Sequence, residues 1–405
     1  MGSLSDHVRQ RMNPDERIAF YLSSLSGGGA QRVMLTLANA MAEHGVQIDL
    51  VLVKARGPFL AQVHPGVRVI DLGVGNVTLS LPGLVRYLRR ERPAALLSSL
   101  KHVNLVALIA RRLSRVPLRL VVGEHNTLSH SCKSGLKDRM LPHLMRVLYP
   151  KADLVVAVSQ GVADDLCASL ELAKEKVQVI FNPVVRSEIA EQAAAPLDHP
   201  WFRPGEPPVI LGMGRLTEQK DFPNLIHAFA FVRKERNCRL MILGEGELHE
   251  ELQGLVTRLG LSASVSLPGF VDTPFAYMGR AAVFVLSSRW EGLPTVLIEA
   301  MACGSPVVST DCPSGPAEIL ERGEWGRLVP VGDSAALAAA ISATLDDGRP
   351  PIVMERAAMF RVEKARDRYL EVLLESELST PLDRTGTRRD SNHKKSRSPR
   401  PCGRI

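Results

Sequence analysis

VFVLSSRWEGLPTVLIEAMACGSPVVSTDCPSGPAEIL, residues 283–320, decides the fold of this chain. Its opening run, Val283 to Leu286, is apolar and β-rich and stops at Ser287 and Ser288. Pro294 then opens a helix through Thr295, Leu297, Ile298, Ala300 and Met301. A strand, a loop and a helix N-terminus follow one another. Glu291 falls on the loop at the helix mouth, and Glu299 lies inside the helix, roughly two turns further on at about 3.6 residues per turn. Unpaired backbone N–H groups and the helix dipole make such a mouth a seat for an anion such as a diphosphate. A carboxylate there has no use for phosphate, but it accepts from hydroxyls. Glu291 and Glu299 therefore read as holding the two sugars on either side of a diphosphate, and the ligand implied is a nucleotide sugar.

The chain has 405 residues, too many for one ordinary core and a fit for two domains. Hydrophobic residues at 45% and charged residues at 23% are the proportions of a soluble globular protein. Six cysteines, Cys132, Cys167, Cys238, Cys303, Cys312 and Cys402, form no C-x2-C pair, so neither a zinc site nor a disulfide framework is indicated. That usage suits a reducing cytosol. No apolar run reaches the roughly 18 residues that span a bilayer, and MGSLSDHVRQRMNPDER lacks the apolar core of a signal peptide. The expectation is a protein neither secreted nor integral to a membrane. The net charge of +7 sits at one end: residues 384–405 hold eight basic side chains and one acidic, a surplus equal to that of the whole chain. Rich in Ser, Thr and Pro and without aromatics, residues 379–405 read as a disordered basic tail, either a solvated terminus or a contact for anionic lipid. Nucleic acid is not the expected partner, because no stacking aromatic accompanies the charge.

Outside the deciding stretch, β and α alternate. Ile18–Leu22 reads as a first strand, Gly27, Gly28 and Gly29 follow in SSLSGGG, and Ala30–His44 is a helix with Val33, Leu37, Ala40 and Met41 on one face. The glycines allow positive φ and close approach to a ligand, or simply a tight turn; no Gly-Lys-Ser/Thr follows to make a Walker loop. Strands are expected at 47–53, 68–72, 95–100, 118–123, 154–158 and 177–181, with helices such as 84–92 and 105–113 between them. This argues for a parallel sheet covered on both faces, with ligands at the carboxyl ends of the strands. His125 stands at one such end. Residues 133–151 mix Lys133, Lys137, Arg139, Arg146 and Lys151 with Leu136, Met140, Leu144 and Val147 on one helical face. That pattern suits either a core-facing helix with a solvated basic side or an anionic membrane surface, and Pro142 is expected to divide it into two short or kinked helices.

Asn182-Pro183-Val184 closes the first domain, 1–184, and 185–208 is the link to a second, 209–350. The second domain opens with strand 209–213 and the loop from Gly214 to Asp221. Arg215 as a fork and Lys220 as a point charge, five apart on a non-helical turn, can clamp a diphosphate; two solvated cations are the bland alternative. Strand 239–243 runs into Gly244-Glu245-Gly246, where the glycines either admit a flat base or merely turn the chain.

Glutamate, seven residues, glutamate, set in EGLPTVLIEAMACGSPVV, resembles the signature of the retaining glycosyltransferases of family 4 (GT4), which have the GT-B fold. An amphipathic core helix with two solvated glutamates would account for Leu297, Ile298 and Met301, but not for Glu-Gly-Leu-Pro or Ala-Cys-Gly-Ser-Pro. The resemblance implies an α/β fold of two Rossmann-like, doubly wound parallel-sheet domains facing across a cleft. It implies that Gly28 and Gly29 lie on the loop facing the donor phosphates and the acceptor, and that His125 lines the cleft beside the donor sugar, near its O6. Arg215 and Lys220 would grip the leaving nucleoside diphosphate. Gly214, Gly244, Gly246, Gly292, Leu293, Pro294 and Thr295 would line the donor pocket, with the loop at Gly244 and Gly246 as the nucleobase wall. Residues 351–378 would form a closing helix that crosses back to the first domain. The family commonly has Glu where this chain has Gln31, which leaves a charged role there in question.

On this resemblance the expected reaction is retaining transfer of a hexose or N-acetylhexosamine from a nucleotide diphosphate sugar, with uridine the expected base. The acceptor expected is a glycan or lipid-linked saccharide in surface-polysaccharide or lipopolysaccharide assembly. Breaking the bond to the diphosphate develops negative charge on phosphate, which Arg215, Lys220 and the helix mouth stabilise without reorganising. No metal or other cofactor is expected, in keeping with the lack of any Asp-x-Asp in the chain. Glu291 would hold a donor hydroxyl such as O3 and Glu299 the ribose hydroxyls. Neither is assigned as a nucleophile; the leaving phosphate takes the acceptor proton. The alternatives are a GT-B enzyme acting on a small acceptor, a sugar-nucleotide epimerase or phosphorylase, and a non-catalytic binding module. The expected location is cytoplasmic, peripheral on the inner membrane through 133–151 and the tail.

Overall fold

A computed structural model of the chain describes residues 16–129, 136–347 and 353–374; the basic tail expected at 379–405 lies outside them. In chain order the first half runs β1 (Arg17–Leu22), α1 (Gly29–Glu43), β2 (Gln47–Leu52), β3 (Val67–Asp71), α2 (Leu81–Glu91), β4 (Ala95–Ser99), α3 (Lys101–Ser114), β5 (Arg119–Glu124), α4 (Leu136–Leu148), β6 (Leu154–Ala157), α5 (Gln160–Leu170) and β7 (Val177–Val179). After α6 (Ile189–Ala194) come β8 (Val209–Met213), α7 (Phe222–Glu235), β9 (Arg239–Leu243), α8 (His249–Arg258), β10 (Val265–Gly269), α9 (Pro274–Arg280), β11 (Val283–Leu286), α10 (Thr295–Ala302), β12 (Val307–Thr310), α11 (Pro316–Ile319), β13 (Arg327–Val329) and α12 (Ser334–Asp347). Two last helices, α13 (Val353–Ala357) and α14 (Val362–Leu374), end the described chain.

The strands pair in parallel throughout, in a seven-stranded sheet of order 3-2-1-4-5-6-7 and a six-stranded sheet of order 10-9-8-11-12-13. This is the doubly wound arrangement the βα rhythm calls for. Parallel strands are joined by crossover helices that cover both faces, so their side chains are buried on both sides. In β1, Ile18 and Phe20 pack toward α1 in one cluster while Ala19 and Tyr21 join the opposite one. In each sheet the order reverses beside the first strand: β1 lies between β2 and β4, and β8 between β9 and β11. The crevice outside the carboxyl ends of such strands is where open α/β sheets take ligands.

The chain crosses between the sheets twice, and the crossings lie side by side. Val184 and Val185 donate their N–H groups to Phe360 O at 3.0 and 2.9 Å, and Val362 N–H returns to Val185 O at 3.1 Å. Helix α14 then lands on the first sheet, where Tyr369, Leu370, Val372 and Leu373 share a buried cluster with Ile18, Phe20 and Leu97. The stretch 185–208 is more than a bare connection: it contains α6, and Ile189 is buried in the core.

One local expectation fails. Pro142 does not divide the basic segment; it sits inside a single helix, α4. A proline removes one backbone hydrogen bond and crowds the carbonyl four residues earlier. The remaining turns of α4 continue past it to Leu148. Among the described residues, no helix is long and apolar enough to cross a membrane.

Candidate active site

The reversal of strand order makes β8 and β11 neighbours, so the loops that follow them lie together. Ser287 Oγ donates to Lys220 O (2.7 Å), Arg289 N–H to Gln219 O (2.8 Å) and Gln219 Nε2 to Trp290 O (2.9 Å). Within this braid Lys220 Nζ sits 2.6 Å from Glu291 Oε1, which also accepts from Ser288 Oγ at 2.7 Å. Both partners are largely shielded, with side chains 15% and 8% exposed. The lysine stem lies across Gly214, where an added Cβ would stand 2.9 Å from Lys220 Cε. Arg215 is exposed on the same loop.

The glycines after β9 answer to this loop as well. Gly244 has φ +131°, and a Cβ there would fall 2.0 Å from Gly214 O; at Gly246 it would fall 2.4 Å from Leu216 O. Close packing of two backbones therefore suffices to require both glycines. Leu216 N–H donates to Glu245 O (2.8 Å) and Gly244 N–H to Gly269 O (2.8 Å), which locks three strand ends together.

Helix α10 begins at Thr295, with Pro294 as the extended residue before it and Leu293 buried beneath the mouth. Glu299 is in the second turn of α10. Burial raises its carboxyl pKa, opposed by the positive charges of Arg32, Arg186 and Lys220. Arg32 comes from α1 and Arg186 from the first crossing. The residues around Glu299 thus come from both domains.

His125 follows β5, and burial pushes its pKa down to about 4, so the imidazole is neutral near neutral pH. Beneath it Glu124 is buried with its pKa raised, bonded to the Tyr149 hydroxyl and to Asn104 Nδ2 (3.0 Å), which also reaches Gly123 O (3.0 Å). A Cβ on Gly292 would lie 1.9 Å from His125 O. The loop carrying Glu291 therefore touches the strand end carrying His125, backbone to backbone, across the cleft.

The glycine loop of the first domain is different. Of Gly27, Gly28 and Gly29, only Gly27 has positive φ (+113°); Gly28 is extended and Gly29 starts α1, so the freedom expected of all three is used once. The N–H groups of Gly27 and Gly28 donate to Gln31 Oε1 at 3.0 and 3.2 Å. A neutral amide caps this helix where the resemblance suggested a carboxylate. A Cβ on Gly27 or Gly29 would meet nothing within 4 Å.

The sequence motifs thus converge: Lys220, Glu291, the mouth of α10, Glu299 and His125 border one cleft. An ammonium and the N–H groups of a helix mouth can donate to a diphosphate, and two carboxylates can accept from the hydroxyls of the rings that flank it. Ser288, Gln219, Arg32 and Arg186 were not singled out from the sequence. Only strand adjacency and the crossing bring them in; Ser288 and Gln219 border quoted motifs, which was the available signal.

Residues 27–188 match a family model described as Glycosyltransferase Family 4, and residues 207–347 one described as Glycosyl transferases group 1. An N-acetylgalactosamine-N,N'-diacetylbacillosaminyl-diphospho-undecaprenol 4-alpha-N-acetylgalactosaminyltransferase of Campylobacter jejuni is 30% identical over 346 residues, covering 82% of this chain and 91% of its own. The lipopolysaccharide core biosynthesis glycosyltransferase LpsE of Rhizobium meliloti is 30% identical over 359 residues, covering 85% and 96%. Among solved structures, Anabaena HepE in complex with UDP matches with a TM-score of 0.70 at 24% identity, over 88% of this chain and 99% of that one.

Proposed function

We infer the reaction from the premise that this chain belongs to glycosyltransferase family 4 and has the GT-B fold. It is a glycosyltransferase, and we propose that it moves an N-acetylhexosamine or hexose from a UDP-sugar to a lipid-linked saccharide, with retention at the anomeric carbon and without a metal. One observation carries the reading: Lys220 and Glu291, 2.6 Å apart, at the strand-order reversal beside the mouth of α10. When a diphosphate arrives, Lys220 exchanges one oxygen partner for another and Glu291 is released to accept a sugar hydroxyl. Arg215, Lys220 and the N–H groups of the mouth then face the charge that develops as the glycosidic bond breaks. Neutral His125 is suited to hydrogen-bond the donor sugar rather than repel Lys220. The acceptor proton leaves with the diphosphate, which is the basic group nearest the broken bond. UDP as the nucleotide is supported by HepE, solved with UDP. The diphospho-undecaprenol in the name of the Campylobacter relative supports a lipid-linked acceptor.

The test is direct. Purified protein is incubated with UDP-N-acetylgalactosamine, UDP-N-acetylglucosamine or UDP-glucose and an undecaprenyl-diphosphate saccharide, with EDTA and with magnesium. One UDP-sugar is expected to give an α-linked product at equal rates in both. A β-linked product, or turnover abolished by EDTA, contradicts the stereochemical or the metal-free half of the proposal.

A lipid-linked acceptor requires access to a membrane. Helix α4 turns Met140 (65% exposed), Leu144 (45%) and Val147 (61%) to solvent, at the helical spacing read from the sequence, with Arg146 and Lys151 close by. Apolar side chains beside cations suit an anionic bilayer surface. We assign this face to the membrane. The expected outcome is co-sedimentation with phosphatidylglycerol vesicles that falls at least tenfold in a Met140→Ser, Leu144→Ser, Val147→Ser protein.

A further inference from the structure

The two domains meet a second time beside the donor loop. Glu318, on α11 of the second domain, accepts from the N–H groups of Gln160 (2.6 Å) and Gly161 (2.9 Å), the first two residues of α5 in the first domain. The negative charge that the open N-terminus of α5 favours is thus supplied from across the cleft. Ser159, the residue capping α5, accepts from Val162 N–H (3.3 Å) and donates to Gly292 O (2.8 Å). Ser314 donates to the same carbonyl at 2.9 Å. The two hydroxyls also lie 2.8 Å from each other, so one serine from each domain and the Gly292 carbonyl form a three-membered cluster that shares two hydroxyl protons. Both serines are buried. The fit leaves no slack, since a Cβ on Gly161 would stand 2.9 Å from Ser314 Oγ. On its far side α11 is held by Arg356, which donates to the carbonyls of Glu318 (2.6 Å) and Ile319 (2.8 Å).

Gly292 lies between Glu291 and the mouth of α10. A trans peptide is planar, so the N–H of Leu293 points opposite to the C=O of Gly292. With that carbonyl held in the two-serine cluster, the direction of the Leu293 N–H at the helix mouth is held as well. We propose that Ser159, Ser314 and Glu318 are positioning residues that form a cross-domain latch. Engaged, the latch aims the Gly292–Leu293 peptide at the leaving diphosphate, so that turnover, though not nucleotide binding, requires the first domain to close on the second. This rests on the donor-site reading above, in which the mouth of α10 faces the diphosphate.

The experiment compares wild type with Glu318→Ala, Glu318→Gln and Lys220→Ala, measuring UDP release from the UDP-sugar that wild type turns over, UDP affinity by calorimetry, and amide exchange at Gln160 and Gly161. Glu318→Ala is expected to lower kcat about tenfold or more and to speed exchange at the two amides, with UDP affinity and melting temperature within about twofold and 2 °C of wild type. Glu318→Gln keeps an acceptor oxygen without the charge and is expected to fall between. Faster exchange with unchanged kcat overturns the latch, as does a loss of UDP affinity equal to the loss of kcat. If Lys220→Ala turns over as wild type does, the donor-site reading itself fails. If Lys220→Ala is impaired while both Glu318 variants turn over normally, the latch alone fails.

Discussion

The two halves repeat one strand order but differ at the cleft. After β8, β9 and β11 the loops are braided, with Lys220 on Glu291, Glu291 on Ser288 and Gly244 against Gly214. After β1 the loop is pinned at Leu25 to Arg56 and Phe59, whereas its glycine tip is tied only to its own helix through Gln31 and meets open space at Gly27 and Gly29. A preorganised wall and an unfilled one face each other. On the proposed reading of the braided side as the donor site the division is sensible: a donor wall must not reorganise as charge develops, whereas the facing side must admit a second molecule.

The largest way to break this contrast is Lys220→Ala. It removes the only cation paired to Glu291 among the described contacts, and kcat is expected to drop by about 10²- to 10³-fold, about 3–4 kcal/mol of transition-state stabilisation, in a donor-turnover assay. Gly292→Ala comes next. Its Cβ would meet His125 O at 1.9 Å, so one loop must move, and a loss of about 1–3 kcal/mol is expected in urea melts, with turnover impaired alongside. His125 gives a smaller effect with a definite sign. Its folded pKa of about 4 lies below the ordinary value, so the folded state binds fewer protons than the unfolded one as pH falls below about 6.5. Stability should therefore decline between pH 6.5 and 4, and His125→Asn should flatten that decline in thermal melts across the range. Gly29→Ala should do least. The position has open space and starts a helix, so stability is expected to rise by at most about 1 kcal/mol, with the KM of donor and of acceptor both little changed. Were Gly29→Ala to cripple donor binding, the contrast between a rigid and an open side would be wrong.

Much of the second domain was legible because its chemistry is local. Glu291, Gly292, Pro294 and Glu299 sit within one strand-loop-helix unit, and buried parallel strands announce themselves as apolar runs such as Val283–Leu286. The Lys220–Glu291 bond was not legible as a bond: its partners are 71 residues apart, and only the adjacency of β8 and β11 joins them. The latch was less legible still. Ser159 and Glu318 are ordinary surface residue types; Ser159 bonds Gly292 133 positions away, Glu318 bonds Gln160 and Gly161 158 and 157 positions away, and nothing in either segment names the other. Helix α6 escaped notice because Ala-rich sequence between Pro and Gly reads as linker, although Ile189 anchors it. Pro142 misled because propensity argues for a break, and the flanking turns prevailed.

The return of α14 to the first sheet has a practical side for anyone who would split the gene. A fragment ending near Val184 would be missing Tyr369, Leu370, Val372 and Leu373, and would expose the apolar surface of Ile18, Phe20 and Leu97 that they cover. The elements that cover this face of the first sheet are written in two separate pieces of the reading frame, 16–184 and 362–374. Any division of the chain between the sheets therefore has to carry α14 with the first of them.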